Sequence, residues 1–180
     1  MKLSLKSAVF LVIGSAVFAV LDSFMGINTA LPQLQITYAY AFLSFVAVVW
    51  GPWAGALTGL LGTAISFGFQ WYLDLTTITG NCAYGCLLGL MTREIDIKNG
   101  FFDRKEMKLF NEEQIIANIV CCLVLQPIQR MIMNSQPIWY LMRAGIWTCL
   151  SRVFSVALLG TLLLAAYAKS RVNAASFMRG

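Results

Sequence analysis

The sequence predicts an all-α integral membrane protein with six transmembrane helices and both termini in the cytoplasm. Of its 180 residues, 59% are hydrophobic and only 12% are charged, whereas soluble domains are about 45–50% apolar. Most of the 13 Lys and Arg fall into three clusters, at residues 2–6, 93–108 and 169–179. Because Lys and Arg are retained on the cytoplasmic side of a bilayer, an even number of spans must separate each cluster from the next.

Six apolar segments separate these clusters, and together they form a single membrane domain over residues 1–180. A span needs about 20 apolar residues, so the chain has no room for a separate soluble domain. The polar stretch 92–113 is predicted to be the main cytoplasmic loop, with Asn111 as the N-cap of the helix that follows. The predicted spans are residues 7–25, 36–50, 54–69, 81–91, 114–132 and 143–167.

The residues available for catalysis are few. The chain contains no histidine, which removes His-dependent hydrolases, the usual His/Cys zinc sites and His-ligated haem. The motifs of zinc proteases, serine hydrolases and phosphate-binding loops are missing too. The sequence therefore predicts a protein that is not an enzyme and has no metal and no cofactor of its own.

The five cysteines leave one alternative from a different class, an intramembrane thiol oxidoreductase. Cys82 and Cys86 are one helical turn apart, and Cys121 and Cys122 are adjacent. The C-x-x-C spacing usual for such enzymes is missing, so burial as small apolar side chains is the simpler interpretation.

Arginines inside the apolar segments point to a candidate site, because an Arg at the bilayer centre costs about 2.5–3.5 kcal/mol on insertion scales. Arg130 and Arg143 are predicted near the outer interface, where long side chains can reach water. Arg152 lies roughly 13 Å into the last span by helical rise. We expect Arg152 to pair with Asp22 or Asp74, or to contact the phosphate or carboxylate of a ligand.

Aromatic and amide side chains cluster near the predicted outer ends of the spans, at the same depth in the membrane as these arginines. They form either an interfacial belt or a pocket for a flat, amide-bearing or heteroaromatic solute. The candidate ligand-binding residues are Asn28, Gln35, Tyr38, Trp71, Asn81, Tyr84, Gln126, Arg130, Tyr140, Arg143, Trp147 and Arg152.

Four segments resemble a known family: LQITY at 34–38, WGPWAG at 50–55, FNEEQIIAN at 110–118 and LGTLLLAAYAK at 159–169. Over essentially its whole length the chain resembles the substrate-binding (S) components of energy-coupling factor (ECF) vitamin transporters. Within them it is most similar to a subgroup linked to cobalamin uptake.

The resemblance implies a specificity subunit in the bacterial plasma membrane, with a ligand site in the outer half under the loops between spans 1 and 2 and spans 3 and 4. It also implies a complex with a transmembrane coupling protein (EcfT-type) and two ABC ATPases (EcfA-type), which hold ATP and magnesium. A strip of small residues on span 1 would dock on the coupling protein; here its members are Ala8, Ser15, Ala16 and Ala19.

The favoured ligand is cobalamin or a related corrinoid. Such a molecule presents neutral amides, a large flat ring and one phosphate, which Gln and Asn, aromatics and Arg would bind in turn. Riboflavin and a thiamin precursor are the alternatives.

A second series of small residues consists of Gly51, Gly55 and Gly59. It indicates either close helix packing within the bundle or a docking face for a partner protein.

Overall fold

The computed structural model describes residues 5–28, 35–71, 73–134 and 137–177, with side chains described for 9–26, 37–71, 73–133 and 137–173. Within these residues the chain forms a bundle of six helices. The first four are α1 (Leu5–Phe24), α2 (Tyr38–Trp50), α3 (Pro52–Gln70) and α4 (Leu75–Met91). The last two, α5 (104–134) and α6 (138–177), are each interrupted by a π turn.

A two-stranded antiparallel ribbon links α1 to α2. Strand β1 (Gly26–Asn28) pairs with β2 (Gln35–Thr37), and Asn28 lies opposite Gln35. Between α4 and α5 the chain makes two short 3₁₀ turns, Thr92–Glu94 and Ile97–Asn99.

The π turns divide α5 and α6. In α5 the π turn Val120–Leu125 separates Arg104–Ile119 from Gln126–Asn134, and in α6 the π turn Val156–Gly160 separates Ile138–Ser155 from Thr161–Phe177. Pro127 follows the first π turn and has no N–H to donate to the preceding turn, which explains the local change of register. Such turns are frequent at functional sites.

Two helices begin earlier than the sequence predicts. Helix α4 starts at Leu75 instead of 81, because Asp74 caps it and accepts a hydrogen bond from the Thr76 N–H at 2.9 Å. Helix α5 starts at Arg104 instead of 114, where Asp103 and Glu106 form a capping box. The second half of the predicted cytoplasmic loop 92–113 is therefore helical. The N-cap prediction for Asn111 is wrong: this residue lies inside α5.

Two segments are long and apolar enough to cross a membrane, Arg104–Met133 with 30 residues and Ile138–Asn173 with 36. At about 1.5 Å per residue both exceed the roughly 30 Å hydrocarbon core. Val9–Phe24 and Tyr38–Trp50 are shorter apolar helices. The six crossings and the cytoplasmic termini remain predictions.

Helices α3 and α4 pack backbone against backbone. A Cβ atom added to Gly55 would lie 2.6 Å from the carbonyl oxygen of Gly85, and one added to Gly59 would collide with the backbone of Asn81. Towards α1, a Cβ on Gly62 of α3 would lie 2.6 Å from the ring of Phe18. For Gly55 and Gly59, the small-residue series therefore serves packing within the bundle, and it fixes the position of Asn81.

Candidate ligand-binding site

Arg152 carries its charge into the interior of the bundle. It lies on α6 with only 3% of its surface exposed. Its Nη2 donates a hydrogen bond of 2.8 Å to the Tyr40 hydroxyl, and its guanidinium carbon is 4.1 Å from the centre of the Tyr40 ring. Nε and Nη1 have no hydrogen-bond partner in the described part of the chain, so most of the guanidinium donors are unused.

An ion pair does not neutralise this charge. Within the described ranges, the carboxylates paired with Lys or Arg are Asp74, with Arg130, and Glu112, with Lys108. The carboxylate of Asp22 accepts a 2.7 Å hydrogen bond from Ser66 instead. Among the described residues Arg152 has no direct ion pair with either predicted structural partner, although its charge interacts with that of Asp22 at longer range. The ligand-contact alternative stays open.

Side chains from α2 and α4 surround Arg152. The Tyr40 hydroxyl lies beside Asn81, which is fully buried and donates from Nδ2 to Thr63 Oγ1 at 2.9 Å. One helical turn further along α4, Tyr84 is fully buried and its hydroxyl lies 2.8 Å from Ser44 Oγ. Two predicted site residues, Asn81 and Tyr84, therefore belong to the same polar interior as Arg152.

Helix α5 adds amides to this polar interior. Asn118 Nδ2 donates to Gln114 Oε1 at 3.1 Å, and Asn118 also lies beside the Tyr84 hydroxyl. Both amides are fully buried. Gln126, another predicted site residue, is 6% exposed and packs against Gly80.

Several of these amides have one atom without a hydrogen bond. A buried unpaired donor or acceptor costs about 1–3 kcal/mol, so such atoms indicate a place for a polar ligand or for water. We call the following set the polar interior, in which Tyr40 is half-buried and the other residues are buried: Tyr40, Ser44, Asn81, Tyr84, Gln114, Asn118, Gln126 and Arg152. Its atoms without a partner among the described residues are Asn81 Oδ1, Gln114 Nε2, Asn118 Oδ1, Gln126 Nε2, Arg152 Nε and Arg152 Nη1.

Arg130 has a different environment from Arg152. Its Nη2 lies 3.0 Å from Asp74 Oδ2 in an ion pair that joins α5 to the start of α4. Burial alone raises the pKa of the Asp74 carboxyl, but hydrogen bonds from Thr76 and Thr77 and the charge of Arg130 outweigh it and hold that pKa below its usual value. Arg130, predicted to bind ligand, is already paired in this clamp between two helices.

Three more predicted residues share one outer pocket. Tyr140, Arg143 and Trp147 line a cavity of about 260 Å³ on α6, together with Ala144 and Thr148. Tyr140 and Arg143 are exposed and Trp147 is half-buried. Arg152 follows Thr148 by one helical turn, so the outer pocket and Arg152 lie on the same helix, α6.

Comparison with known proteins identifies the family. The sequence model of the family described as ECF-type riboflavin transporter, S component, matches residues 2–169. The chain belongs to this family. It is also 34% identical over 181 residues to proteins named UPF0397 from Staphylococcus aureus strains JH9 and Newman, covering 98% of this chain and 97% of each relative. The protein is thus a substrate-specificity subunit of an ECF-type transporter, a transport subunit of the bacterial membrane.

The predicted docking strip of this S component is divided between two faces of α1. Ser15 and Ala19 are buried, and the Ser15 hydroxyl donates to the Leu11 carbonyl at 2.8 Å. Ala16 is exposed, and the side chain of Ala8 lies outside the described residues. Among these four residues, Ala16 is the one whose described side chain is exposed. Docking by this strip remains a prediction.

The predicted loop residues lie apart from the polar interior of the S component or cannot be placed. Trp71 ends α3 in the left-handed conformation, with φ 51°, and is 97% exposed. Tyr38, at the start of α2, is half-buried. Asn28 and Gln35 face each other in the β-ribbon, but their side chains lie outside the described residues.

Sequence reasoning missed part of the polar interior. Tyr40 is not among the predicted site residues, although its ring lies against the guanidinium of Arg152. Gln114 and Asn118 belong to the family-like segment 110–118, and their spacing of four places them on one helical face. That spacing was the signal that could have identified them.

Proposed function

We propose that this S component binds a flat heteroaromatic vitamin in the polar interior and presents it for ATP-driven uptake, with riboflavin as the first candidate. The observation that carries the proposal is the buried Arg152, whose Nε and Nη1 have no partner among the described residues. A charge inside a membrane domain is by default a candidate ligand contact, and the described residues provide no direct ion pair for this one.

The arrangement of the other unpaired atoms supports a heteroaromatic ring. On one face of α5, Gln114 Nε2 is a donor and Asn118 Oδ1 an acceptor without a partner among the described residues. The pyrimidine-dione edge of a flavin alternates carbonyl acceptors with an N–H donor, so it complements such a set. Tyr40 and Tyr84 supply aromatic surface beside these groups, and the name of the matching family refers to riboflavin.

Cobalamin or a related corrinoid is the second candidate. Its many neutral amides would also pair with the free amide atoms, and Arg143 in the outer pocket could meet its phosphate. A cavity of about 260 Å³ is below the 300–1,000 Å³ of sites for drug-sized ligands. A corrinoid would therefore need the outer pocket and the polar interior to open into one space.

Energy for uptake comes from other chains in this proposal. The S component would associate with a transmembrane coupling protein (EcfT-type) and two ABC ATPases (EcfA-type), which bind ATP and magnesium. The chain itself would hydrolyse nothing. An intramembrane thiol oxidoreductase, the alternative from another class, would instead use Cys82 and Cys86, which are half-exposed on α4.

Isothermal titration of the purified S component with riboflavin, cobalamin, cobinamide and thiamin tests the proposal. We expect one of the first two to bind near one to one, and Arg152→Gln to weaken that binding by about 10- to 100-fold, because charge-assisted hydrogen bonds contribute about 1.5–3 kcal/mol. Arg93→Gln, an exposed change in the 3₁₀ turn after α4, is the matched control and should bind normally. Equal affinity in both variants would refute the role of Arg152.

A further inference from the structure

Two thiols from different helices meet beside Arg152. Cys122 lies in the π turn of α5 and Cys149 lies on α6, and both are buried. The side chains of Cys122 and Cys149 lie beside each other, and the Arg152 guanidinium lies next to Cys122. Neither thiol has a role in the proposed vitamin binding.

The backbones approach closely at this point. A Cβ atom on Gly145, one turn before Cys149, would lie 2.6 Å from the carbonyl oxygen of Cys122. A disulfide requires its two Cα atoms to be roughly 4.4–6.8 Å apart. The contact at Gly145 brings α6, which carries Cys149, against the π turn that carries Cys122.

The two sulfurs differ in chemical character. A neighbouring guanidinium favours the thiolate, which is the nucleophilic form of cysteine, and here Arg152 lies beside Cys122. This arrangement suits Cys122 as the attacking cysteine and Cys149 as the second cysteine that resolves its oxidised form.

A small polar molecule can approach the pair. A cavity of about 10 Å³, lined by Cys122, Gln126, Arg130 and Thr148 among others, reaches the Cys122 side of the pair. This volume is about that needed for one water molecule. Hydrogen peroxide is only slightly larger, and the amide, guanidinium and hydroxyl groups of the lining can hydrogen-bond to it.

We infer that Cys122 and Cys149 form a modification site at which hydrogen peroxide produces a disulfide between α5 and α6. The Cys122 thiolate attacks one peroxide oxygen, the O–O bond breaks, and the leaving hydroxide takes up the proton lost from Cys122 as water. The sulfenic acid formed is attacked by the sulfur of Cys149, and its hydroxyl leaves with the Cys149 proton as a second water. Two thiols are oxidised and one peroxide is reduced to two waters.

The disulfide has a consequence that rests on the proposed function. It joins the two helices that carry Gln126 and Arg152, and it fixes the side chain of Cys122, next to which the Arg152 guanidinium lies. We expect the affinity for the vitamin to fall by about tenfold or more, as for one lost charge-assisted hydrogen bond, and to recover on reduction.

Peptide mapping by mass spectrometry, before and after peroxide treatment of the purified full chain, tests the site directly. We expect a cross-link between the peptides of Cys122 and Cys149, with loss of two hydrogens, both in the wild type and in the Cys82→Ala/Cys86→Ala control. In Cys149→Ala, Cys122 should instead accumulate as a sulfenic acid that a dimedone probe captures.

The mapping also separates the two proposals. A cross-link of Cys122 to Cys121 or between Cys82 and Cys86, or thiols left intact by peroxide, would overturn the modification site, and this can be seen in the wild type even if Cys149→Ala does not fold. A cross-link in a protein that binds none of the vitamins tested would leave the modification site standing and refute the proposed function.

Discussion

The pair α3 and α4 and the pair α5 and α6 are built in opposite ways. In the first pair, Gly55 and Gly85 allow the backbones to touch, and a Cβ atom on Gly55 would lie 2.6 Å from the Gly85 carbonyl oxygen. In the second pair, π turns interrupt both helices, and most atoms of the polar interior without a partner among the described residues belong to this pair; Asn81 Oδ1 on α4 is the exception. The first pair provides close backbone packing, and the second provides most of the unpartnered polar atoms that a ligand can use.

The difference shows how one small bundle can combine stability with a polar interior. In lipid, close van der Waals packing of small residues holds helices together, and α3 and α4 supply it. Unpaired buried groups destabilise the protein that contains them. A scaffold pair with tight packing can offset that cost in its neighbour.

The largest expected effect on stability comes from disturbing the packing of α3 against α4. Gly55→Ala would place its Cβ against the Gly85 carbonyl and near the Ala47 side chain at 2.8 Å. We expect a loss of at least about 3 kcal/mol, because a backbone obstacle cannot rotate away. Thermal unfolding in detergent and the yield of folded protein measure it. Gly68→Ala, on the same helix with nothing within 4 Å, is the control and should be neutral or stabilising by up to about 1 kcal/mol.

A mutation in the pair α5 and α6 should have the opposite effect on stability. Gln126→Leu removes an amide whose Nε2 has no described partner and keeps a similar volume. We expect the melting temperature to stay the same or rise, since a buried unpaired donor is lost, while vitamin affinity falls about tenfold. A fall in stability with unchanged affinity would place Gln126 in the scaffold.

A smaller effect is expected at Tyr84 of α4, whose hydroxyl contacts Ser44 of α2. Tyr84→Phe removes the hydroxyl that lies 2.8 Å from Ser44 Oγ. A neutral hydrogen bond contributes about 0.5–1.5 kcal/mol, so a modest fall in melting temperature should result. Tyr84→Phe combined with Ser44→Ala should cost less than the sum of the single changes, because both remove the same bond. Full additivity would argue against that bond.

The smallest effect concerns the clamp between Asp74 and Arg130, and it depends on pH. The pKa of folded Asp74 is lowered, so its stabilising contribution is fully present above the unfolded pKa of about 3.9 and is lost as pH falls through the folded pKa. Asp74→Asn should cost about 1 kcal/mol at pH 7, a value kept small by solvent screening. The melting temperatures of variant and wild type should converge as the pH drops below 4. A constant difference would contradict the clamp.

The sequence predicts the membrane class and part of the site for the same physical reason. Arg152, Asn81, Tyr84 and Gln126 stand out because polar groups in apolar helices are costly, and the structure brings these four to the interior. This signal does not distinguish a paired group from a free one. Arg130 and Arg152 both stand out in the sequence as charges in apolar segments, yet only the structure shows that Arg130 is paired with Asp74.

Other features depend on geometry that periodicity does not contain. Helix α5 changes register at its π turn, which rotates every following residue relative to a regular helix. The early start of α5 depends on the capping box of Asp103 and Glu106, which lies inside a charged stretch typical of loops. Trp71 was expected to cap the ligand, but its exposure follows from the left-handed end of α3, which the sequence does not indicate.

The most direct test of the central claim is an experimental structure of the protein with its vitamin bound. We expect a polar atom of the vitamin within about 3 Å of Nε or Nη1 of Arg152, with its ring beside Tyr40. A vitamin bound elsewhere, with both nitrogens still unpaired or bonded only to water, would contradict the claim.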